Sequence, residues 1–193
     1  MRRMRNKLRS RSSLNLESLE TRNLLAADVV INELMYHPAS NDSSEEFIEF
    51  WNRGDELVDL TDWRISNGVA FSFPATTLEP DSYLVVAADV DAFRLRYGKE
   101  IRVVGGWDGR LANRGEEIEL RNAQDEVVDQ IRYADEGEWS KRILGATDRG
   151  FRGWTWDSPD DGDGRSLELV NAALPNEFGQ NWKPSNSDLG TPG

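Results

Sequence analysis

After Ala27 the chain reads as short apolar runs separated by turn residues. Val29-Val30-Ile31-Asn32-Glu33-Leu34-Met35-Tyr36 predicts a first strand. His37-Pro38 should end it, because proline carries no N–H for a sheet ladder and restricts the residue before it. A polar turn, Ala39 to Ser44, leads to a second run, Glu45 to Trp51. There Glu46, Ile48 and Phe50 point one way and Phe47, Glu49 and Trp51 the other, so alternation is imperfect. Further strands are predicted at Leu57 to Leu60, Trp63 to Ser66, Val69 to Phe73, Tyr83 to Ala87, Ile101 to Val104, Glu116 to Arg121, Val127 to Tyr133 and Leu167 to Val170. Asn67-Gly68, between two of them, is a hairpin signal. One helix is predicted, from Asp89 as cap to Gly98 as stop, with Phe93 and Tyr97 on one face. Arg142 to Gly164 reads as a long loop rich in Gly, Asp and Trp, and Asn186 to Gly193 as a linker. About ten short strands at spacings of roughly 8–12 residues predict an all-β antiparallel sandwich with one short helix and a long C-terminal loop.

Charge divides the chain in two. Residues 1–27 hold seven of the 23 basic residues and two of the 35 acidic ones, so the body from Asp28 onward has 16 basic against 33 acidic, a net of −17. The chain is therefore read as a basic leader, 1–27, with no ordinary signal-peptide pattern because Glu17, Glu20 and Arg22 break its apolar stretch, and one folded domain, 28–193. A body of this length buries roughly 70% of the surface its unfolded chain exposes and needs no metal or disulfide to fold. Its acidity implies repulsion of polyanions. Basic residues of the body read as scattered, the densest group being Arg94 to Arg102, which includes Glu100. No nucleic-acid partner is expected, and no apolar run approaches the ~20 residues of a membrane span.

Candidate chemistry is sparse. There is no cysteine, which removes thiol catalysis, thiolate metal sites and disulfides. The single histidine, His37, sits at a strand end and reads as structural. Adjacent carboxylates occur at Glu45-Glu46, Glu116-Glu117 and Asp160-Asp161, but neighbours in a strand face opposite sides. No glycine-rich phosphate loop is present, and the parallel βαβ setting such loops require is not expected. Catalytic and cofactor-binding residues are thus not assigned. A weak calcium candidate is the turn from Asp157 to Glu168. Asp157, Asp161, Gly162 and Glu168 fall at positions one, five, six and twelve of an EF-hand loop, with Asp163 also inside it. Pro159 occupies a ligand position and no helix flanks it, so an acidic turn leading into a strand is the competing reading. Of seven tryptophans, Trp51 and Trp63 sit in strand patterns and read as core. Trp107, Trp139, Trp154, Trp156 and Trp182 sit in loops or near the C-terminal end. They either staple the C-terminal region to the sandwich or present aromatic surface to a protein or glycan.

Val30 to Pro38 followed by Glu46 to Asn52 resembles the opening of bacterial lamin-tail domains. Leu60 to Gly68, Leu111 to Leu120, Val127 to Tyr133, Arg165 to Asn171, Asn181-Trp182 and Gly190 to Gly193 follow in the same order. The resemblance runs from about Val29 to Gly193, with Arg142 to Gly164 longer than in the shortest members. It implies an immunoglobulin-like β-sandwich without catalytic residues, an accessory module of exported or surface proteins, often found beside spore-coat-H-type kinase, hydrolase or nuclease domains. Leu16 to Leu25 is similar to the Leu-Glu-Pro-Arg-x-Leu-Leu motif heading many planctomycete surface proteins, with Thr21 where proline is usual, and implies export or surface sorting. The expectation is a non-catalytic binding or adhesion module with a protein or glycan partner. A structural spacer from a larger surface protein is the alternative, and an acid–base hydrolase a more distant one.

Overall fold

The computed structural model describes residues 28–193; the leader expectations fall on residues 1–27, outside the described residues. Among the described residues fifteen strands form. They are β1 (Val29–Met35), β2 (Phe47–Asn52), β3 (Val58–Asp59), β4 (Arg64–Ser66), β5 (Val69–Ser72), β6 (Thr77–Leu78), β7 (Ser82–Ala87), β8 (Val103–Gly105), β9 (Asp108–Gly109), β10 (Glu117–Arg121), β11 (Val127–Arg132), β12 (Lys141–Asp148), β13 (Phe151–Asp157), β14 (Leu167–Leu169) and β15 (Trp182–Pro184). One α-helix, α1 (Val90–Tyr97), lies between β7 and β8. One sheet has the order β15–β14–β1–β2–β7–β8, the other β11–β10–β4–β5–β9, and β3–β6 and β12–β13 form separate pairs.

The two large sheets are the layers of an immunoglobulin-like sandwich. Ile48, Phe50, Leu84 and Val86 of the first pack on Ile65, Val69, Ile118, Leu120 and Ile131 of the second in one continuous core. In β1 the register shifts between Ile31 and Glu33. That bulge changes which parity faces inward: Val29 and Ile31 before it, Leu34 and Tyr36 after it, all buried. The Ile31 N–H at the bulge donates to the Asp129 carboxylate (2.7 Å), and Asn176 Nδ2 donates to the same oxygen (2.6 Å), which fastens β1 to β11 of the opposite sheet. At the β4–β5 turn Asn67 and Gly68 have φ of 58° and 70°, the two left-handed residues that a two-residue hairpin turn requires.

Three sequence expectations change. First, β7 and β8 pair in parallel, joined through α1, so the sandwich contains one βαβ unit that had not been expected. The helix itself falls where predicted: Asp89 accepts from the Asp91 and Ala92 N–H groups, and the Gly98 N–H closes the last turn on Arg94. Its Phe93 and Tyr97 cover Met35, Phe47, Val85 and Ala87 on the outer face of the first sheet. That second apolar layer is why β2 lacks clean alternation: both of its faces are buried.

Second, Arg142 to Gly164 is not a loop throughout, because Lys141–Asp148 and Phe151–Asp157 pair as a hairpin. Third, the stretch taken for a linker packs on the outer face of the first sheet. The Leu189 carbonyl accepts from Tyr97 Oη (2.7 Å), Thr191 N donates to Glu33 (2.9 Å), and Gly193 N donates to Glu49 (2.5 Å). Gly190 lies so close to Glu33 and Ser166 that a Cβ there would fall 2.2 Å from a Glu33 oxygen.

Candidate functional site

The carboxylate pairs are split by the fold, although none of the three lies wholly within a strand: Glu45-Glu46 and Glu116-Glu117 sit at strand entries and Asp160-Asp161 in a turn. Glu45 pairs with Arg96, while buried Glu46 accepts from the Leu111 N–H (2.8 Å). Glu116 accepts from Ala112 N (2.7 Å), and Glu117 pairs with Arg132. Asp160 accepts from Tyr36 Oη (2.8 Å) inside the protein, while Asp161 meets His37 Nδ1 at 2.5 Å. In each pair one carboxylate holds a different part of the fold from its neighbour.

His37 clamps the acidic turn to the end of β1. Its Nε2 faces Asn41 Oδ1 at 2.6 Å, and Gly162 N donates to its carbonyl (3.1 Å). Partial burial disfavours the imidazolium, but the bonds to Asp161 and Asn41 outweigh it and raise the pKa. A hollow of about 240 Å³ beside His37 is lined by Asn41, Ser43, Glu46, Arg110 and Asn113. Burial pushes the Glu46 carboxyl up to about 7. The same cause raises Glu33 to about 7, and Asp129 and Asp160 to about 6. These groups are tied to backbone and side-chain donors that hold loops and strand ends, and the positions fit structural work.

The four calcium candidates are dispersed among different tasks. Asp157 ends β13 in solvent, Asp161 is on His37, Asp163 is exposed, and Glu168 in β14 accepts from Thr191 Oγ1 (2.8 Å) beside Lys183. Among the described residues no three His, Asp or Glu are grouped to hold a metal ion.

The tryptophans divide. Trp63, Trp107, Trp139 and Trp182 are buried, and Trp139 and Trp182 meet with ring centroids 6.3 Å apart, joining the segment before β12 to the C-terminal region. Trp182 Nε1 also donates to the Asn176 carbonyl (2.9 Å). Trp51, read as core, is only partly buried and stacks on Tyr83 on the outer face of the sheet. Trp154 and Trp156 staple nothing: they are 58% and 42% exposed on β13.

These two tryptophans mark the surface best suited to binding. Directly opposed residues in an antiparallel pair share a face. Trp154 lies opposite Leu144 and Trp156 opposite Arg142, so all four project from one side of the hairpin, and the Arg142 guanidinium sits 4.7 Å from the Trp154 ring centroid. Phe151, near the tip, is 82% exposed. All of β13 is in solvent, and in β12 only Ile143 and Gly145 are partly covered. The hairpin also collects Lys141, Arg142, Arg149 and Arg152 against Asp148 and Asp157, a basic arm on an acidic body. The grouping of these four cations had not been expected. The recoverable signal was Lys-Arg at one end of the segment and Arg-Gly-Phe-Arg at its centre.

A model of one protein family, the Lamin Tail Domain, matches residues 25–135. No curated protein matches the chain.

Proposed function

The chain belongs to the lamin tail domain family, and from that premise we propose that its body is a non-catalytic binding module that meets its partner through the β12–β13 hairpin. The observation that carries this reading is the exposed face of Trp154, Trp156, Leu144 and Arg142. Tryptophan and arginine dominate the energetics of protein interfaces, because each covers much surface and offers directional contacts. The hairpin lies outside the span of the family match, residues 25–135. Placement in an exported or cell-surface protein rests on the leader motif between Leu16 and Leu25. The partner class is protein or glycan.

Trp154→Ala with Trp156→Ala tests the reading. Both rings are exposed, so the melting temperature should move by no more than ~2 °C. Retention of envelope proteins or glycans by the immobilised chain should fall at least tenfold, a loss of about 1.4 kcal/mol. Unchanged retention would remove the hairpin from the reading.

Nucleic acid is not the proposed partner, although the hairpin is basic. Non-specific DNA binding comes from neutralising closely spaced phosphates, and 33 acidic residues in the body oppose a polymer of that charge density. A chain beginning at Asp28 is expected to show no DNA retention in a gel-shift assay at ~0.15 M salt. Salt-sensitive micromolar binding would contradict this.

A further inference from the structure

We infer that the hairpin's partner is a second copy of this chain, the two hairpins lying antiparallel so that the tip of each reaches the root of the other. This rests on the hairpin being the binding element. A two-stranded ribbon with both faces in water is marginally stable, so a surface that covers it also keeps it folded. Lys141, Arg142, Arg149 and Arg152 enter no ion pair among the described residues.

The complementary surface lies at the hairpin's own base. A groove of about 440 Å³ there is lined by Ile131, Glu138, Glu177 and Phe178, together with Arg132, whose charge is met by Glu117. Glu138 belongs to the short 3₁₀ turn Gly137–Trp139, two residues before β12 begins. Glu138 and Glu177 are exposed and likewise enter no ion pair among the described residues, and Phe178 is 50% exposed. The groove thus offers two uncommitted carboxylates and an apolar ring, and the tip offers Arg149, Arg152 and Phe151 with one carboxylate, Asp148, so each end keeps a net charge opposite to the other.

An eight-residue strand spans roughly 26 Å, which sets the distance between tip and root. Antiparallel hairpins from two copies then bring each tip to the other's groove, a self-complementary two-fold contact used twice. The net negative charge of each body opposes association at long range. At ~0.15 M salt the Debye length is about 8 Å, which screens that repulsion more than ion pairs in direct contact.

Sedimentation velocity on the full chain between about 1 and 100 µM should show a monomer–dimer equilibrium. Arg149→Glu with Arg152→Glu should yield a monomer, and so should Glu138→Arg with Glu177→Arg, each weakening dimerisation at least 100-fold. An equimolar mixture of the two variants should form a mixed dimer, because a carboxylate tip then meets a cationic groove and a cationic tip meets a carboxylate groove. All four positions are exposed, so unchanged circular dichroism and melting temperature verify folding. A wild-type monomer throughout the range, or a mixture that stays monomeric, overturns the inference. The retention assay on the tryptophan variant reports separately on whether the hairpin binds an envelope protein or glycan other than this chain.

Discussion

Raising the pH from 5 to 8 is expected to lower the melting temperature by roughly 10 °C, on the order of a few kcal/mol. The cause is a set of carboxyl groups that burial holds protonated. Glu33 and Glu46 are raised to about 7, Asp129 and Asp160 to about 6, and Glu49 is raised as well. Between the ordinary carboxyl range and these values the folded chain binds protons that the unfolded chain releases. Stability is therefore highest at the acidic end of the window and declines as pH rises through 6 to 7, where the buried groups must ionise. His37 acts in the same direction, since its raised pKa makes its ion pair with Asp161 strongest below its ordinary value and lost above the raised one. Glu33→Gln should flatten the profile, because an amide oxygen can still accept from Thr191 N and carries no charge to bury. Melting curves at the two pH values check this. A flat profile, or a Glu33→Gln variant that melts lower than wild type at pH 8, would contradict it.

Asn52→Ala is expected to cost about 3 kcal/mol, roughly 6–12 °C in melting temperature for a body of this size. Asn52 is completely buried at the end of β2. Its amide nitrogen lies within hydrogen-bonding distance of the carbonyls of Leu78 (3.0 Å), Glu56 (2.8 Å) and Glu79 (3.1 Å), and its oxygen accepts from Gly54 N. One side chain thus satisfies backbone groups of the β2–β3 turn and of the segment joining β6 to β7. Alanine would leave buried carbonyls without a donor and also open a cavity. Asn52→Asp, which keeps the shape but loses the donor, should be at least as harmful at neutral pH. A loss below ~0.5 kcal/mol for alanine would show that water replaces the amide at no cost.

The fold was legible where two local signals agreed. β1, the Asn67-Gly68 turn and α1 with its caps lie within a residue or two of their expected places, because hydrophobic run, turn chemistry and capping residue coincide there. The parallel β7–β8 pair was not legible, since short apolar strands read alike in either direction. A clue was present: Tyr83 to Ala87 is apolar on both sides, as a strand covered on two faces must be. The hairpin β12–β13 was hidden for the opposite reason. Period-two reading depends on one side facing a core, and here neither side does. Composition could not sort the tryptophans either, because Trp139 and Trp154 sit in equally polar surroundings and only tertiary packing separates them. His37 could be assigned to structure from its setting at a strand end, but its partner Asp161 lies 124 residues away.

The bulged first strand has a consequence for synthesis. β1 lies between β2, which follows almost at once, and β14, which does not begin until Leu167. The contact that closes over Glu33 joins residues 158 positions apart. At about 5–20 residues per second, the nascent chain carries β1 with one open edge for roughly 7 to 26 seconds. During that interval Glu33 faces water and can ionise freely, which gives the unfinished edge the charge that discourages strands of neighbouring chains from adding to it. Once the tail arrives, the same carboxyl is enclosed. One glutamate thus carries charge beside the open edge while the chain emerges and holds Thr191 once that segment has folded over it.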